Sequence, residues 1–239
     1  MRVLALIPAR GGSKGFPGKN LALMAGRPLL DWTIQAALAC PAVSRTVLST
    51  DDAAIAEAGR LAGAETPFLR PAALAEDATP ALPVIVHAIE TLAAEGDVFD
   101  AVAYLQPTSP LRAAADIARA IALMTQTGAD TIVSVVPVPH PFSPTSLMQE
   151  TSDGRLEFCA PPEARRFRRQ DKERLFARNG PAILLSRTAT LMGGELYGPH
   201  IRALPMHAFR SIDIDTAEDL MLAEAVFPLA AATLAGERA

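Results

Sequence analysis

Residues 3–20 constrain this chain more than any other stretch. Val3-Leu4-Ala5-Leu6-Ile7 is an unbroken apolar run that flows into Pro8-Ala9-Arg10-Gly11-Gly12-Ser13-Lys14-Gly15-Phe16-Pro17-Gly18-Lys19-Asn20. The first half reads as a buried strand, because it carries no polar alternation. The second half is a glycine-rich loop with three cations, Arg10, Lys14 and Lys19. Glycines let backbone N–H groups turn inward around an anion, and the cations neutralise the charge those dipoles leave over. The expected occupant is a nucleoside triphosphate. Two familiar glycine motifs are excluded. Gly18-Lys19 resembles the end of a P-loop, but Ser13 stands where its first glycine is required and Asn20 replaces Ser or Thr. Ser13 also occupies the middle glycine of the dinucleotide fingerprint, and Pro17 argues against an immediate helix. The alternative is a surface loop whose charge is incidental.

Downstream, strand-like and helix-like stretches alternate. Pro28 opens a helical pattern over 29–38 that Pro41 ends, and 45–50 is a strand. Asp51 or Asp52 can cap a helix over 53–62, closed by Gly63. A helix from Thr79-Pro80 to about 95, a strand over 101–106, a helix over 113–127 and a strand over 131–136 follow. This order predicts an α/β fold with a mostly parallel central sheet and helices on both faces. Ligands of such sheets bind beyond the carboxyl ends of the strands. The polar clusters at 10–19, 49–52 and 106–112, together with the loop near Arg70, should therefore share one rim. From residue 138 the texture changes: Pro137, Pro139, Pro141 and Pro144 interrupt the chain, and 151–155 looks like a turn between two short strands. Residues 138–178 read as an insertion within a single 1–239 domain, being too short and polar for their own core. The final pattern is a strand over 181–186, a short helix near 188–192, an extended piece over 201–205, then 211–215 and a helix over 217–226.

Bulk properties exclude several classes. A net charge of −4 gives no reason to expect nucleic acid or a membrane surface as partner. No apolar run reaches membrane-spanning length, and the lone Cys40 and Cys159 suit a reducing compartment. The expected location is cytoplasmic. His87, His140, His200 and His207 lack zinc spacing.

Three further groups can carry chemistry. In a strand, Asp213 and Asp215 would face the same way and could grip one divalent cation, the counter-charge a triphosphate reaction needs. Asp215 could equally cap the last helix. Gln106, Thr108 and Ser109, pinned by Pro107 and Pro110, are neutral hydrogen-bonding groups suited to a polyhydroxylated substrate. The basic run containing Arg165, Arg166, Arg168, Arg169 and Gln170 suits an acidic ligand, or a solvated or subunit-facing surface.

With these residues in view, the chain resembles the acylneuraminate cytidylyltransferases (CMP-sialic acid synthetases). The likeness runs in order through 7–15, Pro17 with Lys19-Asn20, 49–52, 68–71 with Leu74-Ala75 and Asp77, 105–112, 168–171, Asn179-Gly180 and 211–215. It implies a Rossmann-like nucleotide-sugar transferase fold with a small dimerisation insertion at 138–178. The implied reaction joins CTP and a nonulosonic acid into a CMP-sugar and pyrophosphate with Mg2+, by in-line attack of the anomeric hydroxyl on the α-phosphate. Carried over residue by residue, Arg10 and Lys19 would hold the triphosphate. Ala9, Gly11, Gly12, Ser13, Asn20, Arg70 and Thr79 would frame the nucleotide. Gln106, Thr108 and Ser109 would face the sugar. Asp213 and Asp215 would bind the metal, Asp213 serving also as base or as ligand only. Arg168, Arg169 and Gln170 would reach the sugar from the partner of a homodimer. The family usually continues Ala-Ile-Tyr after Asn-Gly, where this chain has Pro181-Ala182-Ile183-Leu184. Legionaminate, Kdn or an octulosonate are alternative sugars, and a non-catalytic CTP-binding protein is an alternative of another class.

Overall fold

The computed structural model describes residues 1–12, 15–166, 168, 170 and 173–236. The expectations placed on Ser13, Lys14 and Arg169 lie outside these residues. Strand β1 (Val3–Pro8) is the hub of the main sheet. It pairs in parallel with β4 (Arg45–Ser49) on one side and with β5 (Ala101–Tyr104) on the other. Residues 3–7 are fully buried, and the reason is their alternation between two apolar layers. Val3, Ala5 and Ile7 pack with Leu30 and Ile34 of α1 (Leu29–Leu38), Ile55 of α2 (Ala53–Leu61) and Ile117 and Ile121 of α4 (Ala114–Thr127). Leu4 and Leu6 face the opposite way, onto Ile85, Ala88 and Leu92 of α3 (Ala81–Ala94) and Leu191 of α5 (Thr188–Met192). A strand covered on both faces has no reason to alternate polar with apolar residues.

Among the described residues the sheet runs β11-β6-β10-β5-β1-β4, with β9 attached to β6. Here β6 is Thr131–Pro137, β9 Phe176–Arg178, β10 Leu184–Arg187 and β11 Ile201–Pro205. Strands β4, β1, β5, β6 and β11 point one way, while β10 and β9 run against them. The sheet is therefore mixed but mostly parallel, with helices on both faces. Two short hairpins stand apart: β2 (Leu23–Met24) with β3 (Arg27–Pro28), and β7 (Met148–Glu150) with β8 (Leu156–Phe158). Pro28 thus ends a hairpin and immediately precedes α1 instead of opening it. The turn expected at 151–155 joins β7 to β8.

The last helix, α6 (Ala217–Gly236), is longer than its expected span because the alanine-rich tail continues it. Phe227 meets the Trp32 ring edge-on at 4.9 Å, and Trp32 Nε1 donates to the Met24 carbonyl at 3.0 Å. Aromatic contact thereby seals α6 against α1 and the first hairpin. No helix of the described residues is long and apolar enough to cross a membrane.

One glycine is demanded by both backbone and neighbours. Gly180 has φ +115°, and a Cβ there would stand 2.9 Å from the Ala182 nitrogen and 2.9 Å from Ser109 Oγ. Gly154, at the β7–β8 turn, also has positive φ (+80°) but meets nothing nearer than 3.9 Å. Gly180→Ala is therefore expected to cost about 3 kcal/mol and Gly154→Ala about 1 kcal/mol, read from urea unfolding midpoints. Equal losses would show that the contact with Ser109 carries no weight.

Candidate active site

The parallel strands β1, β4 and β5 end at one rim, and the loops leaving them surround a cleft of about 360 Å³. Arg10, Lys19, Asn20, Arg70, Thr79, Gln106, Thr108, Asp213 and Asp215 all line it. These residues come from five separate stretches of sequence.

The glycine loop is held at several points. Ala9 N donates to the Ser49 carbonyl at 3.0 Å, continuing the β1–β4 ladder one residue past the strand, while its side chain joins the core. Gly11 N donates to Asp51 Oδ1 at 3.1 Å. A Cβ at Gly11 would lie 2.8 Å from Asp52 Oδ2, so only glycine fits beside the carboxylate that caps α2. Asn20 is buried and its Nδ2 donates to the Arg10 carbonyl at 3.0 Å, closing the loop on itself. Gly12 stays exposed with open space around its Cα.

Two cations of the cleft meet a carboxylate at hydrogen-bond distance. Arg10 pairs with Asp77 at 2.7 Å across the cleft, and Lys19 Nζ pairs with Asp215 Oδ1 at 3.0 Å. Arg70 differs in being only 6% exposed. Its nearest carboxylate, Asp51, lies 3.6 Å away, beyond hydrogen-bond distance, and Nε and Nη2 have no hydrogen-bond partner among the described residues. Burial lowers the Arg70 pKa, with Asp51 opposing the shift. A buried guanidinium with two nitrogens that make no hydrogen bond is costly unless a ligand completes it. Tyr104, the last residue of β5, floors the cleft, and burial pushes its phenol up to about 12 against the opposing pull of Arg70. It stays protonated and available as a donor at neutral pH.

The acidic pair departs from expectation in one respect. Segment 211–215 forms no strand. Ile214 N donates to the Thr108 carbonyl at 2.8 Å, and Asp215 N donates to Asp219 Oδ2 at 3.0 Å. The backbone donors are thus taken by a turn and a side chain, and no ladder can form. The alternation survives: Ile214 is fully buried against Met24, Leu29 and Leu111, while Asp213 and Asp215 both reach the cleft. The helix-cap alternative for Asp215 is answered by its neighbours. Thr216 Oγ1 accepts from Asp219 N at 3.2 Å, and Asp219 Oδ2 accepts from Thr216 N at 2.9 Å. This reciprocal capping box serves α6 without the Asp215 side chain, which is 72% exposed apart from its pairing with Lys19.

Other expected residues sit elsewhere. Ser109 is fully buried behind the cleft wall, with Oγ 3.4 Å from Asp213 Oδ1, because the 107–112 turn points it inward toward Gly180. It touches the acidic pair and not the cleft. Arg168 and Gln170 are exposed and do not line this cleft. Asp77, Glu76 and Tyr104 do line it, although no role was assigned to them from sequence. Tyr104 was discoverable as the residue ending a rim strand.

Known proteins resemble this chain along most of its length. A family model described as cytidylyltransferase matches residues 4–238. The CMP-N,N'-diacetyllegionaminic acid synthase of Legionella pneumophila is 34% identical, covering 96% of this chain and 97% of that protein. The N-acylneuraminate cytidylyltransferase of Escherichia coli is 30% identical over 93% of this chain and 51% of its own length. A solved CMP:2-keto-3-deoxy-manno-octonic acid synthetase complexed with CTP superposes with a TM-score of 0.72 at 17% identity, covering 96% of this chain and 99% of that one, which establishes a shared fold. A match across nearly its whole length, on a cleft built from the rim of a parallel sheet, makes this chain a member of the cytidylyltransferase family.

Proposed function

We propose that the protein uses CTP to activate a nonulosonic acid of the sialic type, releasing pyrophosphate and forming the CMP-sugar. The observation that carries this reading is the convergence of Arg10, Lys19, buried Arg70 and the Asp213–Asp215 pair on one cleft at the carboxyl ends of β1 and β5. Arg10 and Lys19 hold the triphosphate. Arg70, with two nitrogens that make no hydrogen bond, completes the nucleotide side together with Asn20, Thr79 and the backbone of the glycine loop. Gln106, Thr108 and the Tyr104 hydroxyl orient the sugar. Its anomeric hydroxyl gives up its proton to Asp213 as the oxygen attacks the α-phosphorus in line, the bond to the β-phosphate oxygen breaks, and pyrophosphate leaves. Such a transfer asks the protein for positioning and charge stabilisation rather than for a covalent intermediate.

Asp213 and Asp215 suit a magnesium ion. Among the described residues no group of three or more His, Cys, Asp or Glu side chains forms a metal cage. Magnesium is commonly held by one or two carboxylates with waters and substrate phosphates filling the remaining positions. Bound there, it would supply charge neutralisation for the phosphates. A cytoplasmic location and a homodimer belong to the same reading. The β7–β8 insertion exposes Phe142, Met148 and Leu156, an apolar surface suited to a second copy. In that dimer Arg168, Arg169 and Gln170 reach the partner's sugar.

A panel of nonulosonic and octulosonic acids, assayed for pyrophosphate release from CTP and Mg2+, tests the reaction. Release with at least one acid is expected, and relative rates identify the sugar. The 34% identity to a legionaminic acid synthase makes legionaminate the principal alternative. Tight CTP binding with no turnover on any acid would overturn the enzymatic reading.

Asp215→Asn should lower turnover at least about 100-fold while shifting the melting temperature by less than about 2 °C, since the capping box leaves α6 intact. Normal activity per folded molecule with a lowered melting temperature would return Asp215 to a structural role. Arg70→Lys keeps a positive charge beside Asp51 but loses the planar fork, so KM for CTP should rise about tenfold in steady-state kinetics. An unchanged KM would remove Arg70 from the nucleotide site.

A further inference from the structure

Behind the acidic pair lies an ion pair that no solvent reaches. Arg210 and Asp116 are both fully buried. Arg210 Nε donates to Asp116 Oδ2 and Nη2 to Asp116 Oδ1, each at 3.1 Å, in a bidentate fork. Asp116 Oδ2 also accepts from Ala113 N at 3.1 Å, which ties the carboxylate into the first turn of α4. Arg210 Nη1 further donates to Thr233 Oγ1 on α6. One guanidinium therefore joins the start of α4 to the far half of α6.

The location of the pair gives it a task. Arg210 ends the 3-10 turn Ala208–Arg210, three residues before Asp213. Segment 211–215 is pinned at its other end by the Thr216–Asp219 capping box and in its middle by Ile214. Ser211 is held as well, its Oγ accepting from Asn179 Nδ2 at 2.7 Å. A segment without strand pairing needs such anchors if two carboxylates are to stay aimed at one point. A buried ion pair is poor at adding stability, because desolvation offsets the attraction, but a fork admits few orientations.

We propose that Arg210 and Asp116 are positioning residues that set the divalent-cation affinity of Asp213 and Asp215 by fixing where segment 211–215 begins. The inference rests on the reading that those two carboxylates hold a cation. Neither Arg210 nor Asp116 lines the cleft, so CTP itself should not sense them directly.

The test titrates Mn2+ into the CTP complex of the full chain and follows water proton relaxation, alongside kcat and KM for CTP. Arg210→Lys retains the charge and loses the fork. The expected result is Mn2+ affinity lowered about 10- to 100-fold, a fall in kcat, and KM for CTP within about twofold of the parent. Should this variant not fold, Asp116→Leu/Arg210→Met replaces both charges by packed apolar groups, a change that folded cores commonly tolerate. The same selective loss of Mn2+ affinity is expected there. Parent-like Mn2+ affinity in whichever variant folds would overturn the proposal, and a parallel loss of CTP affinity would show general damage and overturn it too. Asp213→Asn separates the two readings. If it leaves Mn2+ binding intact, the metal reading fails and this inference falls with it. If it abolishes binding while the Arg210 variants bind normally, only the inference fails.

Discussion

The parallel pairing of β1 with β4 and β5 is the constraint on which the rest depends. Parallel strands in register finish together, and here Pro8 stands opposite Ser49 while Leu6 stands opposite Tyr104. Every loop that leaves these strands starts at the same edge. The glycine loop, the Thr50–Asp52 turn and the 106–112 turn are neighbours for that reason alone. Full burial of residues 3–7 makes the edge rigid, since slipping β1 by one residue would exchange its two apolar faces.

The cleft is nevertheless finished by the far end of the chain. Lys19 and Asp215 meet across 196 positions of sequence. What brings them together is apolar: Ile214 inserts among Met24, Leu29 and Leu111, and Trp32 with Phe227 fastens α6 alongside. Docking α6 and completing the acidic wall are thus a single event. The polar site thus depends on apolar packing as well as on the buried fork and hydrogen bonds that anchor segment 211–215.

Much of this was legible in residue order, and the limits have physical reasons. The apolar run at 3–7, the Asp52 cap, the glycine stops at 63 and 128 and the turn between β7 and β8 depend on local rules, which act within a few residues. Asp213 and Asp215 were recognisable by spacing, but not the absence of a strand, because the donors that dissolve the ladder are spoken for by Thr108 and Asp219. Ser109 looked like a cleft residue because its neighbours Gln106 and Thr108 are; the turn that rotates it inward answers to Gly180, far along the chain. The fork between Arg210 and Asp116 spans 94 positions and follows no periodicity, so nothing short of the folded chain could pair them. Arg112 is similar: fully buried, it donates to the Gln106 carbonyl and to Thr33 Oγ1, and burial lowers its pKa to about 9, still charged at neutral pH.

The pairing of Arg10 with Asp77 and of Lys19 with Asp215 gives the cleft the character of an ion exchanger. If the two cations serve the triphosphate, as proposed, its arrival is a swap of anions and not the filling of a bare positive hole. Each phosphate group must outcompete a tethered carboxylate, which discourages capture of stray monoanions that cannot displace both at once. The exchange also runs in reverse. When the anionic leaving group departs, Asp77 and Asp215 stand within reach to reclaim their cations, so release does not strand uncompensated charge. Tethered counter-ions of this kind trade some tightness of binding for ease of turnover.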